Sequence, residues 1–293
     1  MERLSLKIRL IRAVLAIGER ILELTPGADW LRVHHYRLSS EKIPQGFDSF
    51  RFVVLSDIHA HRFKPQQEPL LEKIRALSPE VILCAGDWVR ENYEGRDAET
   101  IRHLAAELVK IAPTYSILGN HEPRLDQMDE LVEDLEKAGI RVLQDESILL
   151  GREGTGDQLV LTGLYPAYEN DFYGSLRDSG IGDKLRGEYG KVMEDLPDRQ
   201  SFQIVLAHRP ELFPLYAELG MDLVFSGHAH GGLLRLPGGR RLLAPDQGLF
   251  PVYTHGTYSS EGTTMVVSEG LGGPRIGIRP ELIDVTLISK QKG

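Results

Sequence analysis

The sequence has little of what several functional classes require. One cysteine in 293 residues, Cys84, excludes an intramolecular disulfide framework and any thiolate-rich metal site, and it fits a reducing compartment. Basic charge is also short, with 34 Lys and Arg against 43 Asp and Glu for a net charge of −9. That balance argues against binding DNA or RNA, where affinity rests on neutralising many phosphates, so no nucleic-acid partner is expected. Long apolar runs are missing too. The longest uncharged stretch of the N-terminal segment is Ala13–Gly18, far short of the roughly 20 residues needed to cross a bilayer. Arginines break up that segment and no small-residue cleavage site follows it, so it does not read as a secretory signal. There are no internal repeats, low-complexity tracts or linkers.

What remains is an aliphatic chain of alternating apolar runs and polar clusters, long enough for one large α/β domain. Residues 1–22 carry Arg3, Lys7, Arg9, Arg12 and Arg20 among Leu4, Ile8, Ile11, Leu15 and Leu22, a basic amphipathic helix that Thr25-Pro26-Gly27 ends. Such a helix packs on its own domain or on a partner, or lies on an anionic membrane. The expected division is therefore an N-terminal helix at 1–27 and a catalytic domain at 28–293, cytoplasmic or peripheral on the inner face of the membrane.

Strands are expected at Arg51–Leu55, Val81–Ala85 and Thr114–Leu118, with helices at Pro69–Leu77, Ala98–Ile111 and Leu125–Ala138. This alternation signals βαβ units and a largely parallel sheet. The second half is more β-rich, with strands expected at Gln158–Leu164, Gln203–Ala207, Leu223–Ser226, Thr263–Ser268 and Leu282–Ile288. The long polar stretch Tyr165–Arg199 reads as surface structure or as a substrate loop.

Five short polar clusters stand directly after apolar runs: Asp57-Ile58-His59, Gly86-Asp87, Gly119-Asn120-His121, Ala207-His208 and Gly227-His228-Ala229-His230. Aspartate and imidazole suit Mn, Fe and Zn. In open α/β sheets, ligands bind beyond the carboxyl ends of the strands, so five such loops can converge on one point. Taken singly, each cluster is an ordinary solvated loop. The ordered series is specific to a site for two metal ions.

The series resembles the calcineurin-like metallophosphoesterases, whose motifs are D-x-H, G-D, G-N-H-[ED], H and G-H-x-H, and it covers Ser56 to His230. Leu55–His59, Gly227–Gly232 and Ser268–Gly272 are similar to the bacterial subgroup that includes membrane-associated phosphoesterases and lipid A precursor pyrophosphatases. The resemblance implies a four-layer α/β/β/α sandwich of two mixed sheets flanked by helices. It further implies that Asp57, His59 and His230 hold one divalent metal, that Asn120, His208 and His228 hold a second, and that Asp87 bridges the two. Manganese is the first expectation, with iron or zinc as alternatives. A hydroxide shared by the metals would be the nucleophile, because coordination brings the pKa of water to near neutrality. His121 would be the catalytic group beside the substrate, stabilising the charged transition state or protonating the leaving alcohol. Glu122 or the neighbours of Asp87 could orient it.

The expected reaction is hydrolysis of a phosphomonoester, phosphodiester or pyrophosphate bond, on phosphorylated small molecules or on lipid-linked substrates at the membrane surface. The alternatives are a soluble nucleotide phosphodiesterase, a phosphoprotein phosphatase and, against the complete motif set, a non-catalytic scaffold. Gly86, Gly119 and Gly227 are expected at sharp strand exits. His34, His35 and His103 read as structural, and His61 and His255 as loop histidines. One of Arg90, Arg124 and Arg209 is a candidate phosphate contact. Leu233 stands where many of the subgroup carry glutamine, a departure that bears on substrate preference rather than on the metals.

Overall fold

The computed structural model describes residues 30–60, 63, 66–165, 179–273 and 275–290. The expected N-terminal helix and the division at residue 27 lie outside the described residues, as do His61 and residues 166–178. In chain order the elements are β1 (Arg32–Ser40), β2 (Arg51–Leu55), α1 (Glu68–Leu77), β3 (Val81–Ala85), α2 (Gly95–Ile111), β4 (Thr114–Ile117), α3 (Met128–Ala138), β5 (Arg141–Val142), β6 (Glu146–Gly151) and β7 (Gln158–Gly163). There follow α4 (Ser179–Glu194), β8 (Gln203–Leu206), α5 (Phe213–Glu218), β9 (Leu223–Ser226), β10 (Leu243–Ala244), β11 (Gly248–Leu249), β12 (Gly256–Ser260), β13 (Thr263–Val267) and β14 (Glu281–Ser289).

Two six-stranded sheets form, in the orders β1-β14-β2-β3-β4-β5 and β12-β13-β9-β8-β7-β6. Both are mixed. In the first, β2 to β5 run parallel, while β14 lies antiparallel to β2 and parallel to β1. β3 is apolar at every position and β2 at every position after Arg51, because both faces of these strands are covered. Phe52 and Val54 of β2 face the second sheet and pack with Leu161, Leu206 and Phe225. Their alternates Val53 and Leu55 face the helices, meeting Leu70, Ile74, Ile101 and Leu104. The outer face of the second sheet, through Val205, Val224 and Met265, is covered by Leu185 and Tyr189 of α4 and by Phe213 and Tyr216 of α5. The layers therefore run helix, sheet, sheet, helix. Cys84 is buried in the first helix-facing cluster.

Helix α1 shows how the local sequence dictates an element. Pro69 opens it, where its missing N–H costs nothing, and Leu70, Leu71, Ile74 and Leu77 recur at helical spacing on the buried face. The structure adds strands that the sequence pattern did not announce, notably β1, β6 and β12. Each is exposed along one side, and His34 and His35 interrupt the apolar pattern of β1. Part of the Tyr165–Arg199 stretch is helix α4, held to the core by Leu185 and Tyr189.

Candidate metal centre

The loops after β2, β3, β4, β8 and β9 leave the carboxyl ends of neighbouring strands, and the clusters meet there. The backbone network is tight: Asp57 N–H donates to the Gly86 carbonyl at 3.0 Å, His59 N–H to the Asp87 carbonyl at 3.0 Å, and Gly227 N–H to the His208 carbonyl at 3.1 Å. Asp57, His59, Asp87, His228 and His230 all sit at positive φ, between 48° and 65°. This backbone is unfavourable for residues with a Cβ, and strain of this kind gathers at functional sites. The strand exits also demand glycine. A Cβ on Gly119 would strike Asp87, and one on Gly227 would strike Ser56 and Asp57.

Asp57, His59 and His230 offer donor atoms within 4.8 Å of one another, and so do Asp87, His208 and His228. Asp87 lies between the two groups. Its Oδ2 is 3.2 Å from His208 Nε2 and 3.7 Å from His59 Nε2, while Oδ1 accepts the His121 N–H at 3.1 Å. In the first group, His230 Nε2 is 3.6 Å from Asp57 Oδ1 and 3.4 Å from His59 Nε2. In the second, His208 Nδ1 donates to the Ala85 carbonyl at 2.7 Å, which leaves Nε2 pointing at Asp87. Asn120 is 7% exposed, and its side-chain oxygen has no hydrogen-bond partner.

This arrangement fits divalent cations. Asp87 Oδ2, Asn120 Oδ1 and His208 Nε2 are buried and carry no hydrogen bond, a costly condition for polar atoms unless a cation satisfies them. Buried carboxylates, imidazoles and a neutral amide are the donor types that Mn, Fe and Zn accept.

The electrostatics follow from that crowding. Burial lowers His230 well below the usual imidazole range and brings His59 down to about 4, so both are neutral and able to donate a lone pair. Burial alone would also lower His208, but the Asp87 carboxylate holds it up at about 9. Asp87 stays well below the carboxylate range, since His208 and His121 outweigh its burial. Glu122 is pushed up to about 8 by burial and by the charge of Asp87.

Of the other residues singled out from sequence, His121 differs from the ligand candidates by its access to solvent. Its side chain is 26% exposed, against 0–6% for His59, His208, His228 and His230. Its Nδ1 donates to the Arg90 carbonyl at 2.5 Å. Glu122 does not orient it. That carboxyl accepts backbone N–H groups from Gly119 at 2.6 Å and from Asp87 and Val89 at 3.2 Å, tying the loops after β3 and β4 together. Arg209 is buried against Asp246 and Glu211. His34 and His35 pair with Glu281 and Asp284, and His103 bonds the Gln66 carbonyl. Leu233 is 1% exposed, so its side chain belongs to the core.

The structure adds two groups that sequence reasoning missed. Asp246 accepts from His228 Nε2 at 2.9 Å; it lies 18 residues away in a turn between two-residue strands, with no motif around it. The loop after β13 is the other. Gly270 and Gly273 lie so close to Asp57 and to His230 and His59 that a Cβ would collide. Buried Arg275 holds this loop by donating to the carbonyls of Glu269 at 2.9 Å, Gly270 at 2.8 Å and Gly272. The resemblance noted at Ser268–Gly272 was the available signal.

Residues 50–232 match the calcineurin-like phosphoesterase family. The chain belongs to that family. It is a hydrolase, in keeping with its relatives. A metallophosphoesterase of Aquifex aeolicus is 27% identical over 89% of this chain and 93% of its own. The phosphodiesterase YaeI of Escherichia coli is 26% identical over 88% of this chain and 89% of its own. The UDP-2,3-diacylglucosamine pyrophosphatase LpxG of Chlamydia trachomatis is 24% identical over 76% of this chain and 78% of its own. Among the described residues, no helix is long and apolar enough to cross a membrane.

Proposed function

We propose that the chain is a binuclear metal-dependent phosphoester hydrolase, acting on a diester or pyrophosphate bond, with a lipid-linked substrate at the membrane surface as the preferred class. The observation that carries the binuclear reading is the position of Asp87, its unpartnered Oδ2 facing donors of both groups. Asp57, His59 and His230 would hold one dication and Asn120, His208 and His228 the other, with Asp87 shared. Two dications a few ångströms apart repel strongly unless an anion stands between them, and Asp87 is the carboxylate in that place. Bound metals would supply water ionised near neutral pH and draw charge from phosphoryl oxygens. Manganese is the first choice of ion, with iron or zinc accepted by the same donors.

The protein's own groups do the rest. His208 is locked with Nε2 inward by its bond to Ala85, which fixes the tautomer that a ligand needs. His121 is partly exposed, with Nε2 3.8 Å from Asp87 Oδ2, and its Nδ1–H is committed to the Arg90 carbonyl. In the imidazolium form, Nε2–H is the proton available to the leaving oxygen or to charge on the phosphoryl group. The substrate preference draws on the names of the relatives, a phosphodiesterase and a lipid-sugar pyrophosphatase, and on the basic amphipathic pattern of residues 1–22.

The test is hydrolysis of mono- and bis-(p-nitrophenyl) phosphate with added manganese, beside a series of lipid-linked pyrophosphates. Asp87→Ala should reduce turnover to background. Activity undiminished in that variant would overturn the reading.

A further inference from the structure

Only four large hydrophobic side chains are conspicuously exposed among the described residues, and three of them stand in one stretch: Leu249 at 61%, Phe250 at 53% and Val252 at 67%. A cluster of this kind marks an interaction site, whereas single exposed apolar residues need no explanation. The stretch belongs to the short β10-β11 hairpin, whose turn carries Asp246. Through the bond from Asp246 to His228, that turn is part of the metal centre's wall. Phe250 is four residues from Asp246, so the backbone holds it within about 14 Å.

The exposed charges of the segment that carries the tip have one sign. Between Leu233 and Tyr253 the chain carries Arg235, Arg240 and Arg241 against the single acid Asp246, in a protein whose net charge is −9. Arg241 is spent internally on Glu269 at 2.5 Å, and Asp246 on Arg209 and His228. Arg235 and Arg240 are the exposed pair. Their backbones lie on opposite sides of the turn through Pro237 to Gly239, and the Arg240 guanidinium stands 4.8 Å from the Phe250 ring centre.

We infer that the Leu249–Val252 tip, flanked by Arg235 and Arg240, docks the protein on an anionic phospholipid bilayer. Size decides against a protein partner. Three side chains cover on the order of a few hundred Å², well short of the roughly 1,000 Å² that a specific protein interface needs. A shallow apolar wedge with arginines beside it suits the boundary between acyl chains and anionic headgroups instead. The inference extends the lipid-linked reading of the same site, because docking at this tip holds the metal centre against the interface where such substrates reside.

Cys84 is buried, so a Phe250→Cys chain offers one accessible thiol for an environment-sensitive nitrobenzoxadiazole dye, with the dye-treated parent chain as background. The labelled full chain is titrated with vesicles of phosphatidylcholine and phosphatidylglycerol in equal parts. Emission should move to the blue and intensify. Adding Arg235→Glu and Arg240→Glu should raise the lipid concentration at half-shift about tenfold or more. Emission that stays put at every lipid concentration, whether or not the chain sediments with vesicles, overturns the inference, as does a half-shift indifferent to the two charge reversals. So does blue emission before any lipid is added, which would mean that the tip is covered by the chain itself or, if dilution reverses it, by a second copy. These readouts use no substrate. A chain that docks but hydrolyses nothing defeats the phosphoesterase reading alone, and one that hydrolyses aryl phosphates without an emission shift defeats the docking alone.

Discussion

Asp246 and His121 each touch the metal centre, yet they differ in what their removal should disturb. Asp246 accepts from the ring nitrogen of His228, and a carboxylate in that position orients a ligating imidazole and raises its basicity. Asp246→Ala should weaken metal binding about 10–100-fold, measured by titrating the metal-stripped chain, with Asp246→Asn recovering part of the loss. His121→Ala should leave metal content unchanged and lower kcat by about 10²–10⁴, so metal analysis and kinetics on one sample tell positioning from proton transfer. The proposed ligands came from the family resemblance, carried by motifs that each stand beside a glycine or an apolar run. Asp246 was not readable, since an aspartate in a Pro-Asp-Gln turn is indistinguishable from an ordinary turn residue until the fold brings it against His228. Nor was the left-handed backbone at Asp57, His59, Asp87, His228 and His230, which is a property of converging loops rather than of residue type.

At the scale of elements, the central strands and the three helices of the first half were legible because full burial leaves continuous apolar runs and helical spacing leaves a period. β1 was not, since it lies at the edge of its sheet and its inward charge partners sit on β14. His35 Nδ1 meets Asp284 at 2.6 Å, and Arg51 from β2 grips the same carboxylate at 2.7 and 2.8 Å. Burial alone would raise Asp284, but Arg51 and His35 hold it below the usual carboxylate range. A group whose folded pKa is depressed stabilises fully above its unfolded pKa of about 3.9 and loses that contribution as pH falls through the folded value. The urea midpoint should therefore drop as pH falls below about 4, and Asp284→Asn should flatten that part of the profile while lowering the midpoint at neutral pH.

For the whole molecule, the four layers followed from the family resemblance, whereas composition and periodicity alone indicated a largely parallel sheet. The second half obscured the picture, its partly exposed strands β6 and β12 being patterned weakly. If the proposed ions bind the folded state only, they stabilise it by mass action. Manganese at a hundredfold its Kd would add about 2.7 kcal/mol, which for a chain of this size corresponds to a Tm roughly 4–5 °C above that of the chelator-treated protein. Scanning calorimetry with and without chelator measures it, and equal Tm values would count against a metal bound preferentially by the native fold.

The insertion of β14 between β1 and β2 has a bearing on how the protein is made. β1 finds its neighbour only when residues 281–289 arrive, and the loop that closes against Asp57 and His230 is encoded just before them. A nascent chain still attached to the ribosome thus has all five motif clusters in hand well before it can finish the sheet beneath them. The strand pairings are of high sequence separation and slow to form. Completion of the proposed metal site therefore waits on the synthesis of β14, with the edges of β1 and β2 exposed to chaperones, or to aggregation, until then.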